Sequence, residues 1–84
     1  MITLEKLRIF EKYDGDADGF ARTGKKSEKE IFKNQDWLLI DSMIQDLELI
    51  KNGLCSKNFE SMTFEKLKNK FDSESIELIK NKKF

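Results

Sequence analysis

The chain has 84 residues, with 16 basic and 16 acidic side chains, one cysteine, and neither histidine nor proline. This length accommodates one small domain, which we place over residues 1–84. The lack of histidine excludes catalytic sites that use imidazole as the base and metal sites built on imidazole. Because the net charge is zero, composition gives no electrostatic argument for binding nucleic acid or an anionic membrane.

The compartment is predicted from the cysteine content and the N-terminus. The lone Cys55 has no partner for an intramolecular disulfide, which favours a reducing environment. Charged residues at Glu5, Lys6 and Arg8 interrupt the region where a signal peptide would be apolar, and no apolar run is long enough to span a bilayer. We therefore expect a cytoplasmic protein that does not contact a membrane.

The first half of the chain predicts two short helices separated by a loop. Thr3 is a suitable N-cap, and apolar residues recur at helical spacing over residues 4–13. Residues 14–26 contain three of the four glycines together with three aspartates, a composition typical of a loop. Ser27 followed by Glu30 fits a capping box, which predicts a short helix there.

The second half predicts a long helix followed by two shorter ones. The strongest helical pattern covers residues 35–52 and is followed by Gly53, the residue that best tolerates the left-handed conformation beyond a helix end. Ser56 can cap a further helix, and Asp72 or Ser73 can cap the last one. Since no alternating run is long enough for a strand, we predict an all-α bundle of four or five helices with a Gly/Asp-rich loop after the first.

One motif in the predicted loop has the spacing of a cation site. Asp14, Asp16, Asp18 and Gly19 spell D-x-D-x-D-G, which places carboxylates at alternate positions of a tight loop. The motif resembles the opening of the calcium-binding loop of EF-hand proteins, which also follows a helix. That resemblance implies calcium as the ion, with Phe20 offering its backbone carbonyl as a further ligand.

The rest of the loop departs from the EF-hand pattern. Ala21 stands where the family has a large aliphatic residue, and Lys25 stands where it has the bidentate glutamate. Aspartate and glycine are also common turn formers, and a solvated turn without any ion has the same composition. Calcium binding is therefore the alternative function that the sequence predicts, and it is the only cofactor the pattern suggests.

The long helix carries apolar residues on two faces. One arc of about 160° is the predicted core face; its members are Trp37, Leu39, Ile40, Met43, Ile44, Leu47 and Ile50. Leu38 and Leu49 fall on the opposite face, beside Asp41, Gln45 and Glu48. Either this helix is central and covered on both sides, or the second face binds a partner, whether another protein or a second copy forming a homodimer.

Charge is also divided along the chain. Residues 36–50 hold four acidic residues and no Lys or Arg, a net charge of −4. Residues 51–70 hold five lysines against two glutamates, a net charge of +3. Attraction between two antiparallel helices of opposite charge within the chain would explain this division. The alternative explanation is attraction between the acidic segment and another molecule.

The remaining patterns indicate no enzyme and no nucleic-acid binding. Cys55 has no neighbouring base to activate it, and the lysine-rich segments are interleaved with acidic residues. The sequence therefore predicts a non-catalytic interaction module, of the inhibitor, immunity or regulatory type. The predicted partner-binding residues are Leu38, Asp41, Gln45, Glu48 and Leu49.

Overall fold

The computed structural model of the chain describes residues 1–81, which form six α-helices and no β-strand. The helices are α1 (Leu4–Lys12), α2 (Ala17–Thr23), α3 (Lys26–Ile31), α4 (Asn34–Lys51), α5 (Lys57–Lys70) and α6 (Ser73–Asn81). The prediction of an all-α fold is confirmed. None of these six helices has both the length and the apolar composition that a bilayer crossing requires.

Helix α2 lies inside the segment that the sequence predicts to be a loop, residues 14–26. Its Phe20 is buried and stacks on Trp37, with ring centroids 5.2 Å apart. Burial of this aromatic side chain outweighs the low helix propensity of glycine and aspartate. Only the short turn at Asp14 and Gly15, with φ of 52° and 74°, has the left-handed backbone expected of such a composition. The prediction of a loop throughout was therefore wrong, and residues 1–81 form six helices where four or five were expected.

Helix α3 begins at Lys26, earlier than the capping pattern predicts. Glu28, not Glu30, reaches back to the chain before the helix, and its carboxylate accepts the backbone N–H of Lys25 at 3.0 Å. The predicted box between Ser27 and Glu30 was wrong because Glu28 already satisfies the orphan N–H group at this helix start.

The end of α4 follows the prediction closely. Gly53 has φ of 69°, and its N–H donates to the carbonyl of Ile50 at 3.0 Å. The N–H of Leu54 donates to the carbonyl of Leu49, also at 3.0 Å. These two bonds define a Schellman ending. Ser56 then caps α5 as predicted, with its hydroxyl accepting a backbone N–H at 3.2 Å.

The core has a dense aromatic part around Trp37. The rings of Phe10, Phe20 and Phe32 lie 4.7, 5.2 and 5.2 Å from its ring, so α1, α2 and the residue after α3 all meet the start of α4. The buried apolar residues are Ile2, Leu7, Ile9, Phe10, Phe20, Phe32, Trp37, Ile40, Met43, Leu67, Phe71 and Ile79. Because α4 turns its core face toward this cluster, its opposite face points away from the bundle.

The N-terminal residues are held by the connection between α5 and α6. The N–H of Ile2 donates to the carbonyl of Lys70 at 2.7 Å, and the carbonyl of Ile2 accepts the N–H of Asp72 at 3.0 Å. The same carbonyl accepts the hydroxyl of Ser75 at 3.1 Å. Ile2 thus forms an isolated parallel bridge with Phe71, and both side chains are buried. We call this arrangement the Ile2 clasp.

Candidate partner-binding surface and the aspartate turn

The second apolar face of α4 is open to solvent. Leu38 is 60% exposed and Leu49 is 40% exposed. The two lie eleven residues apart, or about 16 Å along the helix axis. The described part of the chain therefore leaves this face uncovered, and the interpretation of α4 as a helix covered on both sides was wrong.

The polar members of the predicted site lie between the two leucines. Gln45 and Glu48 are exposed and Asp41 is half-buried, and the Gln45 amide donates to the Asp41 carboxylate at 3.4 Å. All five predicted residues thus share one outward strip of α4, because their spacing repeats with the helical period. We call Leu38, Asp41, Gln45, Glu48 and Leu49 the α4 strip.

Leu54 is an exposed leucine just beyond the end of α4 that was not among the predicted site residues. It is 71% exposed, and the Schellman ending joins its N–H to the carbonyl of Leu49. In such an ending these two positions commonly contact each other, which favours an apolar end of the strip that includes Leu54 as well as Leu49. The sequence held the necessary signal, since Gly53 specifies the ending that brings Leu54 back toward the helix.

The acidic side chains on the outward side of α4 form no ion pair with the described residues. The ion pairs within residues 1–81 join Lys6 to Asp36 at 2.9 Å, Lys12 to Glu28 at 3.0 Å and Arg22 to Asp18 at 3.2 Å. None of them involves Asp41, Asp46 or Glu48, and none connects α4 to a lysine of α5. Direct pairing between α4 and α5 therefore does not account for the division of charge, and the strip keeps its negative charge.

The aspartates of the predicted calcium loop are distributed over a turn and a helix. Asp14 occupies the left-handed turn, Asp16 precedes the first residue of α2, and Asp18 lies within that helix. The carbonyl of Phe20, which the EF-hand resemblance assigns to the ion, accepts the N–H of Gly24 at 2.8 Å. No three acidic or cysteine side chains among residues 1–81 are grouped as a metal site would require. Formation of α2 has thus replaced the geometry that the resemblance implies.

A hydrogen-bonded network joins α1 to α3 on another side of the bundle. The carboxylate of Glu28 accepts the hydroxyl of Tyr13 at 2.6 Å, the ammonium of Lys12 at 3.0 Å and the backbone N–H of Lys25. These donors, Tyr13 first, hold the pKa of Glu28 at about 2, since each bond favours the ionised form. The same bond to Glu28 raises the pKa of Tyr13 above its usual value.

Tyr13 is the only tyrosine of the chain, so its titration can be followed directly. We expect an ultraviolet absorbance titration to give a midpoint above 10.0, its ordinary value, and Glu28→Ala to bring the midpoint back toward that value. Because the folded state holds this proton more tightly, the network's contribution to stability is lost as the pH rises through the pKa of Tyr13. At acid pH the dependence of stability on pH has the opposite direction. The contribution of Glu28 to folding stability is present above its usual pKa of 4.5 and is lost as the pH falls toward about 2.

Glu30→Ala is the matched control, because Glu30 is an exposed glutamate of the same helix outside the network. It should leave the tyrosine midpoint unchanged. A wild-type midpoint at or below 10.0 would contradict the network.

The two sets of site residues that the sequence predicts are arranged differently in the structure. The residues of the α4 strip share a face of a single helix, whereas the aspartates do not converge. Among known proteins, no family model, no curated protein and no solved structure matches this chain.

Proposed function

We propose that the chain is a small, non-catalytic interaction module that binds a basic and apolar surface of another protein through the α4 strip. The exposure of Leu38 carries the proposal: this leucine is 60% exposed on a face whose acidic side chains have no ionic partner among residues 1–81. On this outward face the side chain of Leu38 contributes little to the stability of the fold. A partner that covered Leu38, Leu49 and Leu54 together would gain the free energy of burying their apolar surface.

The two kinds of residue in the strip have separate roles in binding. Asp41 and Glu48 attract a cationic surface during approach and fix its orientation. The leucines at the two ends provide the apolar area whose removal from water holds the complex together. The negative charge also argues for a different protein over a second copy, since a symmetric dimer across the strip would bring like charges together.

A module of this form acts by covering a functional surface of its partner, as an inhibitor, an immunity-type protein or a regulator does. The likeness is one of form, because a helical bundle by itself specifies no activity. We propose the cytoplasm as the place of action, where the single Cys55, a free thiol, remains reduced.

A pair of designed peptides, standing in for the basic and apolar surface of a partner, tests the chemistry of the strip. The first is an amphipathic helical peptide of leucine and lysine, and the second carries glutamate in place of each lysine. With isotope-labelled protein, we expect the lysine peptide to shift the amide resonances of Leu38, Gln45 and Leu49, with a Kd of about 10–100 µM that weakens as salt is added. The glutamate peptide should cause no comparable shift.

Substitutions distinguish the strip from other exposed apolar residues. Leu38→Ser together with Leu49→Ser should weaken binding by about tenfold or more, because each removes an apolar anchor. Met62→Ser is the control, since Met62 lies on α5 and is 64% exposed. Equal binding of both peptides, or resonance shifts centred on α5, would overturn the proposal.

A further inference from the structure

A groove separate from the α4 strip lies where α2, α3 and the start of α4 meet. Its volume is about 350 Å³, and none of its lining residues belongs to the strip. Phe20, Phe32 and Trp37 form an aromatic floor, and Ala17 and Ala21 line the groove with small side chains. The volume falls at the small end of the range of about 300–1,000 Å³ that ligand pockets occupy.

Two lysines stand at the edge of this groove. The ammonium of Lys29 donates to the carbonyl of Ala21 at 2.7 Å, which holds it beside this lining residue. That bond uses one of its three N–H groups and leaves the others for a ligand. Lys33 also lines the groove, is exposed, and forms no ion pair with any residue in the range 1–81.

Two carboxylates on the helices that border the groove are paired with other cations. Asp36 near the start of α4 is paired with Lys6 at 2.9 Å, and Asp18 in α2 is paired with Arg22 at 3.2 Å. Neither is among the residues that line the groove. The edge of the groove is therefore cationic while its floor is apolar.

We propose that this groove binds a small amphipathic anion, with an apolar body lying on the aromatic floor and its acidic group between Lys29 and Lys33. The cationic edge and the apolar floor together select for such a ligand. An uncharged apolar molecule gains no binding free energy from the lysines, and a purely polar anion gains none from the floor. The inference is independent of the proposed function of the α4 strip, since the two surfaces share no residue.

Octanoate is the probe, and octanol is its uncharged match. Trp37 is the only tryptophan of the chain, so its fluorescence reports on the floor, and saturation-transfer NMR observes the probe itself. We expect saturable binding of octanoate in the NMR experiment with a Kd of about 0.1–1 mM, accompanied by a change in Trp37 emission. Octanol should bind about three- to tenfold more weakly, the difference expected for exposed ionic contacts.

Two variants separate a specific site from general apolar binding. Ala21→Leu fills the groove from an exposed helical position where leucine is a good helix former, so the protein should fold and lose octanoate binding. Lys33→Gln should weaken octanoate binding about threefold, whereas Lys26→Gln, on α3 and outside the groove, should not change it.

Three results would overturn the proposal. The first is no saturable transfer to octanoate at concentrations up to about 5 mM, well above the expected Kd. The second is binding of octanol as tight as that of octanoate. The third is unchanged octanoate binding by a folded Ala21→Leu variant, with folding verified by circular dichroism.

Discussion

Trp37→Ala is expected to lower the free energy of unfolding by about 3–5 kcal/mol. The side chain is 4% exposed and contacts three other aromatic rings, at centroid distances of 4.7 Å from Phe10 and 5.2 Å from both Phe20 and Phe32. These rings come from α1, from α2 and from the residue after α3. Truncation would therefore leave a cavity where α1, α2 and the connection after α3 meet α4, and short helices such as α2 have little stability of their own.

Urea denaturation followed by circular dichroism measures this effect, since the variant has no tryptophan to report on unfolding. A protein of this length has a total stability of about 4–13 kcal/mol, so the loss should be a large share of it. Trp37→Phe keeps an aromatic ring and should cost clearly less. Leu38→Ala, one residue away on the outward face, should change stability by about 0.5 kcal/mol or less. A loss below about 1 kcal/mol for Trp37→Ala would contradict the central role of this ring.

The helical class and several helix ends were predictable because their causes are local. A period of 3.6 residues in the apolar pattern identifies α4, and the Gly53 ending follows from the one residue that adopts a positive φ at low cost. Helix α2 was not predictable in this way. Its sequence favours a turn, and the helix is stabilised by the burial of Phe20 on Trp37, a contact that brings together segments separated along the chain.

The two candidate sites also differ in how far local sequence could predict them. The α4 strip could be predicted because residues at helical spacing share a face wherever the helix lies. The exposure of Leu38 could not be predicted, since it depends on how the other helices pack. The aspartate motif specifies the order of its residues but not the backbone that would bring them together, and α2 forms there instead. The groove lined by Phe20, Phe32 and Trp37 needs three helices in place, so no single segment of sequence reveals it.

Truncation of a side chain in the Ile2 clasp is expected to cause the second large loss of stability. Ile2 is fully buried, and its backbone exchanges hydrogen bonds with the connection between α5 and α6 at 2.7 and 3.0 Å. Ile2→Ala should lower the free energy of unfolding by about 2–5 kcal/mol, the cost of removing a large aliphatic side chain from a packed core. Met1→Ala changes an exposed neighbour and should be close to neutral.

Comparison with Ser75→Ala separates the side chain of Ile2 from its backbone. The Ser75 hydroxyl donates to the carbonyl of Ile2 at 3.1 Å, so this variant removes one buried hydrogen bond and leaves both apolar side chains of the clasp in place. It should cost about 0.5–1.5 kcal/mol, the net value of one hydrogen bond, because the Ile2 carbonyl still accepts the N–H of Asp72. If apolar packing dominates the clasp, Ile2→Ala will have the larger effect in urea denaturation. Equal stability of Ile2→Ala and the wild-type protein would show that the Ile2 side chain does not stabilise the clasp.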